Sequence, residues 1–144
     1  MRAPDRNSVY LDDAALLLLA APGEWRDRLL ERLVLHVQQE GAVYTSAAAF
    51  ETVQEFFLAR SNAVQLRQYW NALDGLFREI LPLRGEDLGR ALDILESSPT
   101  TAPDAALRPA QALHAAIVLN HRVEWMVDPE HRYATIPGIK AFEF

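Results

Sequence analysis

Short apolar runs alternate with longer amphipathic stretches along the whole chain, and this alternation limits the fold more than any other feature. Residues 8–12, 42–45, 79–83, 123–127 and 139–142 are short and rich in β-branched, aromatic or aliphatic residues, so they read as five strands. The segments between them repeat apolar residues at helical spacing. Asp12 and Asp13 open a helix that runs to about Ala20 and is broken by Pro22-Gly23. Trp25, Leu29, Leu30, Leu33, Val34 and Val37 mark a helix over about 24–40, which Gly41 is expected to end in the left-handed region. Thr45 or Ser46 caps the next helix, with Phe50, Val53 and Phe57 on its inner side. Asn62 opens a fourth helix to Phe77, with Leu66, Trp70, Leu73 and Phe77 inward. Leu88, Ala91, Leu92 and Leu95 mark a fifth. Residues 97–109, with three prolines, read as a loop, and Pro109 begins a sixth helix to about Asn120. Strands that alternate with helices imply a parallel sheet covered on both faces. The expected fold is α/β, a three-layer α/β/α sandwich around a mostly parallel five-stranded sheet.

A length of 144 residues suits one domain spanning 1–144. No cysteine is present, which removes disulfides and thiolate metal sites and fits a cytoplasmic setting. The longest apolar run, Ala14 to Pro22, is too short to span a bilayer and follows two acids rather than the basic start of a leader. The formal net charge is −6, which disfavours binding nucleic acid by charge alone. A divalent cation would reverse the local field and reopen that route.

In open parallel sheets ligands bind beyond the carboxyl ends of the strands. Asp12 ends the first strand, Glu51 lies early in the helix after the second, and Gln111 lies in the first turn of the helix feeding the fourth. Asp128 and Glu130 directly follow that fourth strand. Strands lying side by side would bring these oxygens to one edge. Such a set, without cysteine or paired histidine, favours Mg²⁺ or Mn²⁺, which orients a phosphodiester and activates water. Each residue also has a plainer reading: Asp12 and Asp13 as helix caps, Asp13 above all, Glu51 as a solvated helix residue, and Gln111 as a partner of free backbone donors. Glu130 and Asp128 read equally as loop charges.

Several segments, taken in order, resemble a PIN domain, the nuclease fold of bacterial VapC toxins. "VYLDDAALLL" resembles the opening strand that ends in aspartate, with Asp12 at that position. "YTSAAAFETVQEFF" resembles the strand-Thr-Ser-helix segment, and Glu51 is its glutamate. "PAQALHAAIVLNHRVEWMV" resembles the segment "DALHAA" with its following strand, and "DPEHRYATIPGIK" resembles the closing "T-x-D-x-D-F" loop that leads into "IPG". The resemblance implies a metal-dependent ribonuclease in which Asp12, Glu51 and Glu130 hold Mg²⁺ or Mn²⁺, assisted by Gln111 or Asp128. It implies a structured RNA substrate cut to a 3′-hydroxyl and a 5′-phosphate, a small antitoxin lying across the acidic groove, and a homodimer; the short apolar runs imply no membrane association.

The departures point the other way. Ala14 replaces the usual asparagine, and Gln111 stands where the pattern places its third acid. Glu130 replaces aspartate, Asp128 a serine or threonine, and Arg132 a second aspartate. Gln111 removes one unit of charge, and Arg132 either competes with metal or binds phosphate. Asp104 is a lesser candidate for the missing acid. The alternative is therefore a catalytically silent PIN-like module that binds RNA or protein. The histidines lack zinc spacing, His114 reads as a packed residue, and Trp25, Trp70 and Trp125 read as core or interface.

Overall fold

The computed structural model describes residues 7–97 and 107–144. Most of the proline-rich loop, with Asp104, lies outside the described residues. The first half runs β1 (Ser8–Tyr10), α1 (Asp13–Ala20), α2 (Glu24–Gln38), β2 (Ala42–Ser46), α3 (Ala47–Leu58) and α4 (Ala63–Leu73). A 3-10 turn (Asp74–Leu76), β3 (Glu79–Leu81), α5 (Gly85–Ser97), α6 (Pro109–Asn120) and β4 (Trp125–Met126) complete the order.

The four strands of the described residues are all parallel, in the order β3-β2-β1-β4. Ser8 pairs with Ala42 and Tyr10 with Tyr44, while Tyr10 pairs with Met126 on the other side. Because β1 is buried on both faces, its side chains alternate between two cores. Val9 and Leu11 join Val43, Val127 and Phe142 under α1, α2, α3 and α4. Tyr10 points the other way, with Ala42, Tyr44 and Met126, against α6. The three-layer α/β/α sandwich follows from this period of two. Ala91 packs with Ala112 and Ala116, so small residues let α5 lie close on α6.

Some boundaries differ from the sequence reading. The expected fifth strand over 139–142 is reduced to a bridge between Met126 and Ala141. Its neighbour among the described residues, β4, is two residues long, and both backbone bonds to it fall on one of them: Met126 N–H to Lys140 O and Phe142 N–H to Met126 O, each 2.8 Å. The fourth helix ends at Leu73 and tightens into the 3-10 turn before Phe77. On α5, Ala91 faces inward, but Leu88 and Leu92 are 51% and 60% exposed and Asp87 is buried in their place. Asp87 sets that rotation: it accepts from Arg84 N–H at 3.0 Å and from Asn120 Nδ2 at 2.8 Å, tying α5 to the end of α6. Trp25 is exposed, and the buried stripe of α2 is Leu29 and Leu33. Trp70 and Trp125 are half-buried.

Gly41 has a different purpose from the one its position implies. Glu40 takes the left-handed conformation, φ 65°, and Gly41 N–H closes on His36 O at 2.8 Å. A Cβ at Gly41 would overlap the His36 imidazole, which is bonded to Asn7 O at 2.8 Å and packs edge-on to Phe142. Gly41→Ala is therefore expected to destabilise the fold by about 1–3 kcal/mol through overpacking. In a His36→Ala background the same change should cost far less. Equal losses of thermal stability in both backgrounds would contradict this account.

Candidate functional site

The strand order reverses at β1, whose neighbours are β2 on one side and β4 on the other. The chains leaving β1 and β4 diverge there and open a crevice at their carboxyl ends. Asp12 follows β1 and Asp128 follows β4, so both stand at this crevice. It forms a cavity of about 480 Å³ with Leu17 and Leu18 in its wall and Asp12, Asp13, Gln111, Asp128, Glu130, Arg132, Arg108 and Tyr133 around it. A depression of about 450 Å³ at the opposite end of the sheet, lined by Asn7, Arg32, His36 and Gly41, holds none of the expected site residues.

Asp12 is the N-cap of α1 and is 4% exposed. Its Oδ1 accepts from Ala15 N–H at 2.9 Å, and its Oδ2 accepts from the Tyr133 hydroxyl at 2.6 Å. Capping and a site position are therefore held by one residue, and Asp13, expected to be the cap, sits in the first turn. Burial raises the Asp12 carboxyl above its ordinary value, against the opposing effects of the Tyr133 bond and His114. Asp13 moves down, because His114 faces its carboxylate at 3.4 Å. The Tyr133 phenol is pushed well up by burial and by Asp12, so it stays an O–H donor.

Asp128 is 7% exposed and organises its own loop. Its Oδ1 accepts from Arg132 N–H at 2.8 Å and its Oδ2 from Tyr133 N–H at 2.9 Å. These two bonds turn the chain so that the Tyr133 ring returns over Asp12. Glu130 is exposed and pairs with Arg132 Nε at 3.0 Å. The Gln111 carboxamide oxygen accepts from Arg108 N–H at 3.0 Å, the backbone role weighed for it from the sequence.

Asp12, Gln111, Asp128, Glu130 and Arg132 line one cavity. Glu51 is exposed on α3 and is not among the residues lining it. Tyr133 is the residue that sequence reasoning passed over. Its signal lay in the closing loop, where it occupies the phenylalanine position of "T-x-D-x-D-F".

A buried polar chain leads away from the cavity. The Asp13 carboxylate accepts only, so His114 Nε2 must carry the proton that faces it. On the other side of the ring, Nδ1 and the Tyr10 hydroxyl are hydrogen-bonded at 2.8 Å. Tyr10 Oη and Ser46 Oγ are also hydrogen-bonded at 2.8 Å, and Ser46 Oγ accepts from Ala49 N–H at 3.1 Å as the cap of α3. His114, expected to be a packed residue, is packed and also bonded at both nitrogens.

No protein-family model and no curated protein matches this chain. Solved structures do. The Mycobacterium tuberculosis toxin VapC20, described as cleaving the sarcin-ricin loop, superposes with a TM-score of 0.64. Sequence identity is 13%, over 92% of this chain and 98% of that one. The fold is that of a VapC-like PIN domain. A toxin–antitoxin complex from Klebsiella pneumoniae gives a TM-score of 0.56 at 16% identity, over 94% of this chain and 99% of its own. In the described residues no helix is long and apolar enough to cross a membrane.

The residues of the cavity do not fit a divalent cation as they are arranged. Among the described residues no group of three or more histidines and acids is placed to hold one. Both Asp128 oxygens bond backbone amides, Gln111 bonds Arg108, Glu130 faces Arg132, and Glu51 stands apart.

The two adjacent acids make opposite predictions. Folding raises the pKa of Asp12, so its unfavourable contribution grows as pH rises above the ordinary carboxylate value of 3.8. Folding lowers that of Asp13, whose favourable contribution is present above 3.8 and lost as pH falls through its folded pKa. At pH 7, Asp12→Asn should raise Tm and Asp13→Asn should lower it, with both differences fading toward acid. Thermal melts of the two variants from pH 7 downward check this, and shifts of the same sign would contradict it.

Proposed function

We propose that this protein is a ribonuclease of the VapBC toxin class, acting on RNA in the crevice between β1 and β4. The observation that carries the reading is the buried carboxylate of Asp12, set by the first turn of α1 at the switch point of a VapC-like PIN fold. The named activity of VapC20 supports RNA as the substrate class.

The chain's own residues supply three functions. Ala15 N–H fixes the Asp12 carboxylate at the cavity wall. Burial makes that carboxylate a better proton acceptor than an ordinary aspartate, so Asp12 takes the proton of the attacking water. The water oxygen bonds to phosphorus as the P–O3′ bond breaks, and the departing O3′ takes a proton from solvent, leaving a 3′-hydroxyl and a 5′-phosphate. Arg108 and Arg132 line the same cavity and meet the phosphate. The Arg132–Glu130 pair is solvent-exposed and worth little, so it yields readily to a substrate. The four acids around the two arginines keep RNA affinity modest and strongly dependent on salt.

A small antitoxin that covers the acidic crevice is the partner in this reading, supported by the toxin–antitoxin complex among the similar structures. A homodimer in the cytoplasm completes it. A second reading, an RNA-binding or protein-binding module without catalysis, is favoured by Gln111 and by the donors already bound to Asp12 and Asp128.

The purified chain is assayed on a structured RNA with and without Mg²⁺ or Mn²⁺. Asp12→Asn is expected to reduce cleavage by about 100-fold or more, the scale of a lost general base. Arg108→Ala is expected to weaken RNA binding and lower the slope of log K against log salt by about one. Binding without cleavage, equal in wild type and Asp12→Asn, would establish the second reading instead.

A further inference from the structure

Tyr133 is a side-chain donor to Asp12, delivered by the loop opposite. Its hydroxyl lies 2.6 Å from Asp12 Oδ2, the shortest bond in the cavity, and both partners are buried. The ring is held there by its own backbone N–H on Asp128 Oδ2, with Arg132 N–H on the other oxygen. Asp12 and Asp128 are therefore joined through Tyr133, one by its phenol and one by its amide. Ala15 N–H holds the remaining Asp12 oxygen from below. A cation at Asp12 would have to break or share the phenol bond, and it would meet Arg108 and Arg132 where a further acid is needed. Gln111 offers it no charge.

We propose that the Tyr133 hydroxyl acts as a built-in latch on Asp12, taking the place of a divalent cation and holding the acidic cavity closed to metal. The phenol stabilises the buried carboxylate by donating a hydrogen bond and supplies no positive charge. Tyr133 is thus a positioning residue: it acts on the reaction centre through Asp12. Phenylalanine keeps the ring's packing and removes only the donor, so the latch rests on one oxygen atom. A released Asp12, joined by a restored acid at Gln111, would meet the charge a doubly charged ion requires.

The inference concerns cation binding and is tested without RNA, so it stands or falls apart from the nuclease reading. Mn²⁺ is titrated calorimetrically into wild type, Tyr133→Phe, and the pair Tyr133→Phe/Gln111→Asp. The wild type is expected to bind Mn²⁺ with a Kd weaker than about 1 mM, the bottom of the scale for specific sites. Tyr133→Phe is expected to bind at least 10-fold tighter and the pair tighter again, with the gain abolished by adding Asp12→Asn. Micromolar Mn²⁺ binding by the wild type overturns the proposal, and this measurement needs no variant to fold. A folded Tyr133→Phe with unchanged affinity overturns it as well. Cleavage assays on RNA judge the enzymatic reading separately.

Discussion

Everything about the site depends on β1 lying between β2 and β4 in parallel register. Tyr10 pairs with Tyr44 on one side and Met126 on the other, so the residues just past β1 and β4 leave the sheet at the same level. Asp12 and Asp128, far apart in the chain, become neighbours of one cavity for that reason. The register is fixed by burial on both faces: slipping β1 by one residue would send Tyr10 into the core built around Val9 and Leu11. Backbone bonds continue the pairing past the strands, Leu11 N–H to Tyr44 O at 2.9 Å and Val127 N–H to Tyr10 O at 3.1 Å. These bring the pairing to the residues immediately before the two aspartates.

Two polar networks then share the region. One crosses the cavity, from α1 through Asp12 to Tyr133 and on to Asp128. The other passes from Asp13 through His114 and Tyr10 to the Ser46 cap of α3. Consecutive acids thus serve different ends. Asp12 is desolvated and faces a hydroxyl, while Asp13 faces an imidazole, and their carboxyls move in opposite directions. The second network links α1, α6, β1 and α3 through buried groups that have partners, an arrangement that rigidifies a site rather than opening it.

Much of this was legible in the residues. The alternation of strand and helix gave the layers, and the carboxyl-edge rule brought Asp12, Gln111, Asp128 and Glu130 together, because both depend on short-range pattern and chain direction. Other features were hidden. On α5, Leu88 and Leu92 obey helical spacing, yet the buried Asp87 bonds Asn120 and turns them outward. Gly41 looked like a helix stop, and only the folded chain brings the His36 ring against it. Glu51 followed the resembled segment but stands on the exposed side of α3. Tyr133 carried a visible signal, a hydroxyl at a phenylalanine position, whose meaning needed its partner.

The sequence by itself determined the class of fold, the positions of the helix starts at Asp12, Ser46 and Pro109, and the set of polar residues available at the strand ends. These are local matters of periodicity, capping and backbone geometry, which act between residues a few positions apart. Tertiary structure alone decided which of those polar atoms are already satisfied. The phenol on Asp12 comes from 121 residues away and the Tyr10–His114 bond spans 104. Contacts of that range depend on how the sheet orders its strands, and no spacing within a segment encodes them.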